Sequence, residues 1–112
     1  MLLKKESQEC NMFLEKYLSE FKFNLLIENY EEEYLKSLDE NNFIFVHALF
    51  KRNNFYFIDD IILNYLEIFE MNPIDVVKGI EKLRSKLGED FVYKIGNDMK
   101  YLEEIINVDD KE

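Results

Sequence analysis

The sequence predicts an all-α fold, a compact bundle of five or six short helices. Only 3 Gly and 1 Pro occur among 112 residues, too few for a chain that turns often through tight β-hairpins. Apolar residues recur every three or four positions along most of the chain, the period of amphipathic helices. Hydrophobic residues make up 47% of the chain, enough for one core at this length. We therefore expect residues 1–112 to form a single helical domain, with 1–6 and 108–112 frayed.

Two amphipathic helices are predicted in the first third of the chain. Apolar side chains, Cys10 among them, repeat with helical spacing from Ser7 to Phe21. The same spacing returns from Asn24 to Leu38. Asn24 is the predicted N-cap of this second helix, because its side chain can accept a hydrogen bond from the first turn.

The segment 43–54 permits two interpretations. Its first eight residues, FIFVHALF, show no clean apolar period. A short buried helix is favoured, because Ala48 is a good helix former and the basic pair Lys51-Arg52 suits a helix C-terminus. The alternative is a β-hairpin with strands at 43–50 and 55–62, since aromatic and β-branched residues favour strands.

A central core helix is predicted from Phe55 to Met71, where the apolar stripe is wide. Asp59 and Asp60 interrupt the apolar residues near its start, and we expect them to cap this helix. We favour this structural role for the two acidic residues over a catalytic one.

The strongest local signal is Asn72-Pro73. An Asn N-cap followed by Pro at the first helical position is typical of a helix start, because the N–H that proline lacks has no partner there. This helix is predicted to run to Leu87, where Gly88 supplies a left-handed stop. Two short helices should follow, 89–95 and 98–106, broken at Gly96-Asn97, and the alternative is a hairpin that turns there.

A faint internal repetition accompanies these elements. Residues 26–30 (LIENY) resemble 61–65 (IILNY) at a spacing of 35 residues. A period near this value is typical of stacked helical hairpins, so one interpretation is a bundle built of such repeats. Chance similarity between amphipathic helices is the competing explanation.

Charge and the scarcity of reactive groups limit the classes of function. A net charge of −10 repels phosphate backbones and anionic lipid, so nucleic acid is a disfavoured partner. The only histidine, His47, lies in an apolar segment, and no metal, cofactor, phosphate-loop or nucleophile motif occurs. We therefore predict a protein that is not an enzyme and has no cofactor or metal. No secretory signal or membrane span is recognisable, and we expect a cytoplasmic protein.

The acidic segment around residues 28–33 is the predicted binding site for a partner protein. Glu28, Glu31, Glu32 and Glu33 concentrate negative charge that would meet a basic patch, where charge complementarity raises the association rate and selectivity. An inhibitor, immunity-type or adaptor protein would fit this description. A homo-oligomer is also possible.

The alternative function is that of a winged-helix DNA-binding regulator. Lys78, Lys82 and Lys86 are spaced by four residues in the 74–87 helix, and Arg84 lies to their side. In this interpretation the helix enters DNA and residues 91–101 form the wing. Asp75 and Glu81 on the same helix argue against it, because recognition helices belong to basic domains.

Overall fold

Every regular element in the computed structural model, which describes residues 13–107, is a helix. The all-α prediction is confirmed, and the alternative with β-hairpins is wrong. The α-helices between residues 13 and 107 are α1 (Glu20–Asn29), α2 (Glu32–Lys36), α3 (Glu40–Arg52), α4 (Ile58–Asn64), α5 (Pro73–Leu87), α6 (Phe91–Asn97) and α7 (Glu103–Ile106). The 3-10 helices in the same range are Phe13–Tyr17, Leu66–Glu70 and Met99–Leu102.

The chain divides into two compact units, unit 1 with residues 1–40 and unit 2 with residues 41–112. The division falls at the first residue of α3. The single domain over 1–112 stays a prediction. The ends predicted to fray, 1–6 and 108–112, lie outside the described residues, as do residues 7–12 of the first predicted helix, Cys10 among them.

Unit 1 breaks both of the long helices that its apolar spacing predicts. The hydroxyl of Ser19 accepts a hydrogen bond from the backbone N–H of Lys22 at 3.2 Å, so that a new helix, α1, begins at Glu20. Asn24, the predicted N-cap, lies inside α1. The backbone is extended at Tyr30, with φ −127° and ψ 146°, and α1 therefore ends there. The apolar spacing continues across both breaks, because it indicates which side chains are buried and not which backbone amides form helical hydrogen bonds.

The segment 43–54 is helical, as favoured, and lies mostly within α3. Its buried side chains are Phe43, Val46, Leu49 and Phe50, which are spaced as one helix face, whereas Ile44 and Phe45 are exposed. Because these two exposed residues are also apolar, the helical spacing of the buried ones could not be recognised in the sequence. The hairpin alternative is wrong, because the chain leaves α3 through Asn54 with a φ of 68°, after a full helix and not a strand.

Aromatic rings form much of the core of unit 2. Phe43 stacks on Phe69 at 4.7 Å between centroids, and Phe50 meets Phe55 edge to face at 4.9 Å. Phe55 also meets Phe91 at 5.9 Å. Asn42 reinforces this packing, since its side-chain amide donates to the backbone carbonyls of Phe69 at 2.7 Å and Met71 at 3.0 Å. The rings join α3, α6 and the chain segments near residues 55 and 69 in one core.

The predicted core helix from Phe55 to Met71 is two elements, α4 and the 3-10 helix Leu66–Glu70. Its apolar stripe is buried as expected, but the backbone is non-helical at Tyr65 (φ −138°, ψ 48°). Asp59 and Asp60 do not cap α4. They lie in its first turn, where negative charge still favours the helix dipole.

The helix α5 begins and ends where the sequence predicts. The side-chain oxygen of Asn72 accepts from the backbone N–H of Ile74 at 2.9 Å, and Pro73 is the first helical residue. Gly88 ends α5 with a positive φ of 99°, but its ψ of −172° is extended and not the predicted left-handed helical value. That combination is accessible to glycine and strains other residues.

Residues 91–97 and 99–106 are helical, so short helices are confirmed after Gly88 and the alternative of a hairpin at Gly96-Asn97 is wrong. The break between helices falls one residue later than predicted, at Asp98. The carboxylate of Asp98 accepts from the backbone N–H of Lys100 at 3.2 Å and so starts the 3-10 helix Met99–Leu102.

The two similar pentapeptides hold equivalent places in the order of elements. Each forms the last turn of an α-helix that ends at an asparagine, Asn29 in α1 and Asn64 in α4. The fifth residue of each is a tyrosine just after the helix, whose N–H donates to the carbonyl four residues earlier, at 3.0 Å for Tyr30 and 2.7 Å for Tyr65. A short helix and then a long one come next in both cases, α2 and α3 after Tyr30, and the 3-10 helix and α5 after Tyr65.

Candidate protein-interaction surface

The four predicted partner-binding carboxylates are all exposed, but they do not share one helix. Glu28 is in the last turn of α1, Glu31 is the N-cap residue of α2, and Glu32 and Glu33 are in the first turn of α2. Glu32 forms an ion pair with Lys36 at 3.1 Å. The turn at Tyr30 therefore spreads these carboxylates over two short helices of unit 1.

The aromatic pair beside these carboxylates is partly covered. Tyr30 and Tyr34 are both half-buried, and their rings stack at 5.6 Å between centroids. Neither ring is therefore fully exposed to a partner. Their stacking links the end of α1 to α2.

Unit 1 also contains a small pocket that the sequence did not indicate. It has a volume of about 200 Å³ and is lined by Glu15, Leu18, Glu20 and Phe23. Leu18 and Phe23 are buried core side chains and form its apolar part, while Glu15 and Glu20 are exposed at the surface. The pocket exists because the 3-10 helix ends at Tyr17 and Ser19 caps a new helix, which brings residues of the first 3-10 helix beside the first turn of α1.

Phe21 adjoins this pocket in sequence and is 70% exposed, the largest exposed fraction among the exposed large hydrophobic residues of the described chain. The sequence had placed Phe21 on the buried stripe of a helix ending there. Because Ser19 restarts the helix, the buried face of α1 is set instead by Phe23 and Leu26. The signal for Phe21 was the N-cap preference of Ser19, which precedes it by two residues.

The charge of unit 1 is strongly negative. Its described residues, 13–40, carry eight acidic and three basic side chains, for a net charge of −5. Residues 41–107 carry eleven acidic and eight basic side chains, for −3. The described part of unit 1 is therefore more acidic per residue than that of unit 2, with five net negative charges over 28 residues against three over 67.

The basic residues predicted to contact DNA do not form one open stripe. Arg84 donates to Glu81 at 2.6 Å and to the side chain of Asn53 at 2.8 Å. Its guanidinium also lies 4.9 Å from the centre of the Phe91 ring. Arg84 is thus committed to contacts within unit 2.

The three lysines of the same set differ in their surroundings. Lys86 donates to Glu104 at 2.6 Å, and Lys82 is half-buried and lines a second pocket, whereas Lys78 is exposed. The wing predicted at 91–101 consists of α6 and the following 3-10 helix. The winged-helix fold is therefore absent from residues 13–107. DNA binding through the lysines stays a hypothesis, but without the fold on which it was based.

His47 is half-buried in α3, and its ring stacks on Phe43 at 5.9 Å between centroids. Burial, aided by the positive charge of Lys51, holds the pKa of His47 below its ordinary value of 6.5, and Asp59 opposes this shift. Such a histidine is neutral at pH 7. Among residues 13–107, no three His, Cys, Asp or Glu side chains are grouped as a metal site would require.

In the described part of the chain, no helix combines the length and the apolar character that crossing a membrane requires. Comparisons with protein-family models, with curated proteins and with solved structures found no match to this chain.

Proposed function

We propose that the chain is a protein-interaction module that binds a basic partner through the acidic surface of unit 1. The observation that carries the proposal is the pocket lined by Glu15, Leu18, Glu20 and Phe23. A lysine or arginine side chain has an apolar stem and a charged end. The stem fits against Leu18 and Phe23 while the charge meets Glu15 and Glu20.

Two further features support this site. Phe21 offers an exposed apolar side chain one residue after Glu20 in the sequence, and aromatic residues are enriched among the side chains that contribute most to binding. Glu28 lies eight residues beyond Glu20 on α1, about 12 Å along the helix axis at 1.5 Å per residue. The acidic segment of residues 28–33 therefore extends the negative surface beyond the pocket and would steer a basic partner towards it.

An inhibitor, immunity-type or adaptor protein is the finer form of the proposal. Each of these works by occupying a surface of its partner and needs no catalytic group of its own. The partner would present at least one lysine or arginine at the centre of a positive patch.

The partner is best identified by photo-crosslinking in the cells that make the chain. A benzophenone amino acid replaces Phe21 in one version and Tyr93 in a matched control. Tyr93 is a comparably exposed aromatic residue, 62% against 70%, and belongs to unit 2. We expect a protein adduct from position 21 whose contact peptide contains lysine or arginine, and no such adduct from position 93.

The purified partner then permits a quantitative test. Because the pocket carboxylates meet a positive charge, the double change Glu15→Gln and Glu20→Gln should weaken binding at least tenfold, and added salt should weaken it too. The double change Glu67→Gln and Glu89→Gln alters the net charge equally in unit 2 and should leave the dissociation constant within twofold.

Three outcomes would overturn the proposal. The first is an adduct from position 93 alone, and the second is an adduct from position 21 with a second copy of the chain. The third is low-salt binding of the purified protein to generic duplex DNA that is lost on Lys78→Glu with Lys82→Glu, which would establish the DNA-binding alternative.

A further inference from the structure

Unit 2 contains an open pocket of about 260 Å³ lined only by polar residues. They are Lys82 of α5, Lys100 of the 3-10 helix Met99–Leu102, Glu103 and Glu104 of α7, and Asn107. Such a mixture of two ammonium groups, two carboxylates and an amide is suited to a small charged ligand and not to an apolar one.

A close contact between α5 and α7 builds this pocket. A Cβ atom added to Gly79 would lie 2.9 Å from the Cα of Ile105, so the two helices approach closely because residue 79 has no side chain. Lys82 follows Gly79 by three residues and therefore lies on the same side of α5. The contact thus brings Lys82 beside the residues that flank Ile105 on α7.

The charges of the pocket do not cancel. The ammonium group of Lys86 donates to Glu104 at 2.6 Å, which neutralises that carboxylate. Lys82 and Lys100 then oppose Glu103 alone, and the pocket is locally positive in a chain whose net charge is −10. The side chain of Lys82 is half-buried and forms no ion pair or hydrogen bond with a residue among 13–107. The ammonium group of Lys82 can therefore donate hydrogen bonds to an anion in the pocket.

We propose that this pocket binds a small zwitterion, with an anionic group between Lys82 and Lys100 and an amino group at Glu103. Lysine is a common ligand of phosphate and carboxylate oxygens, and the side-chain amide of Asn107 can donate to the same oxygens. Glu103 repels a plain anion but attracts an anion that also carries an ammonium group. Amino acids with an acidic or phosphorylated side chain have this chemistry and a size that suits the pocket.

Calorimetry with the full chain tests the proposal, using O-phosphoserine as the zwitterionic probe. Inorganic phosphate supplies the anion without the amine, and ethanolamine supplies the amine without the anion. We expect O-phosphoserine to bind at least fivefold more tightly than phosphate and ethanolamine to show no binding. Equal affinities for O-phosphoserine and phosphate would refute the role of Glu103, and no heat from either would refute the site.

Variants assign the binding to this pocket. Lys82→Gln should weaken O-phosphoserine at least tenfold, and Lys100→Gln is a second test at an exposed position where folding is not at risk. Lys78→Gln is the matched control, because Lys78 lies one turn from Lys82 on α5 but does not line the pocket. Glu103→Gln should remove the preference for O-phosphoserine over phosphate.

An unchanged affinity in both Lys82→Gln and Lys100→Gln would overturn the proposal, as would an equal loss in Lys78→Gln. The site is in unit 2 and does not rest on the protein-interaction surface of unit 1. Failure of one proposal therefore leaves the other intact.

Discussion

Replacing Gly79 with alanine tests whether the contact between α5 and α7 is as close as the structure places it. The added Cβ would lie 2.9 Å from both Cα and Cγ1 of Ile105 and 3.0 Å from its Cγ2. One of these atoms is backbone, so the contact is relieved only if a helix moves. Overpacking of this kind costs about 1 to 3 kcal/mol.

Helix propensity acts in the opposite direction at the same position. Alanine is preferred to glycine in a helix interior by about 1 kcal/mol. Because two helices would have to separate, we place the steric cost near the upper end of its range. Gly79→Ala should then lower the free energy of unfolding by about 1 to 2 kcal/mol in total.

Urea unfolding followed by circular dichroism at 222 nm measures this change. Ser85→Ala is the control, since Ser85 is exposed on α5 and should show only the gain in propensity, about 0.5 kcal/mol. In an Ile105→Ala background, Gly79→Ala should cost less, because the Cγ atoms of Ile105 are gone. A stabilisation by Gly79→Ala equal to that of Ser85→Ala would refute the close approach.

Three other predictions follow from particular hydrogen bonds and from one titrating group. Ser19→Ala should destabilise the protein by about 1 kcal/mol while Asn24→Ala should not, because Ser19 and not Asn24 caps α1; equal effects in urea unfolding would contradict this helix start. Asn42→Ala should cost about 1 to 3 kcal/mol in the same assay, because it leaves two carbonyl groups near the end of the 3-10 helix Leu66–Glu70 without their donor, and a change below about 0.5 kcal/mol would count against it. The folded pKa of His47 is lower than the unfolded value of 6.5, so its contribution to stability is present above pH 6.5 and is lost as the pH falls through the folded pKa. His47→Gln should remove that part of the pH dependence, and an NMR titration of this single histidine that gave a pKa above 6.5 would show the sign to be wrong.

The sequence predicts elements best where local chemistry defines them. Asn72 and Pro73 fix the start of α5 because a cap and a missing N–H act within three residues, whatever the rest of the chain does. The same cap logic applies to Ser19, but the apolar stripe running past it favoured a continuous helix. The apolar spacing does not predict the breaks at Tyr30 and Tyr65. The same side chains are buried whether or not the helix is continuous there.

The candidate sites were predictable only in part, for a related reason. The exposure of Glu28 and Glu31 follows from their charge, and the structure agrees. The pocket lined by Leu18 and Phe23 depends on where α1 begins, and a shift of the N-cap by one residue would alter it. The sequence grouped Arg84 with three lysines as predicted DNA contacts, and only its contacts with Asn53 and Phe91, which are distant in sequence, distinguish it from them.

Because the breaks make most helices short, these helices depend on packing against the rest of the chain for their stability. Isolated helices below about 12 to 15 residues are marginal in water, and α7 has 4 residues while α6 has 7. Within residues 13–107, only α3 and α5, with 13 and 15 residues, reach that length. The segment from residue 91 to 107 therefore holds its helical form through its packing against α5, and a peptide of that segment alone should be largely unstructured.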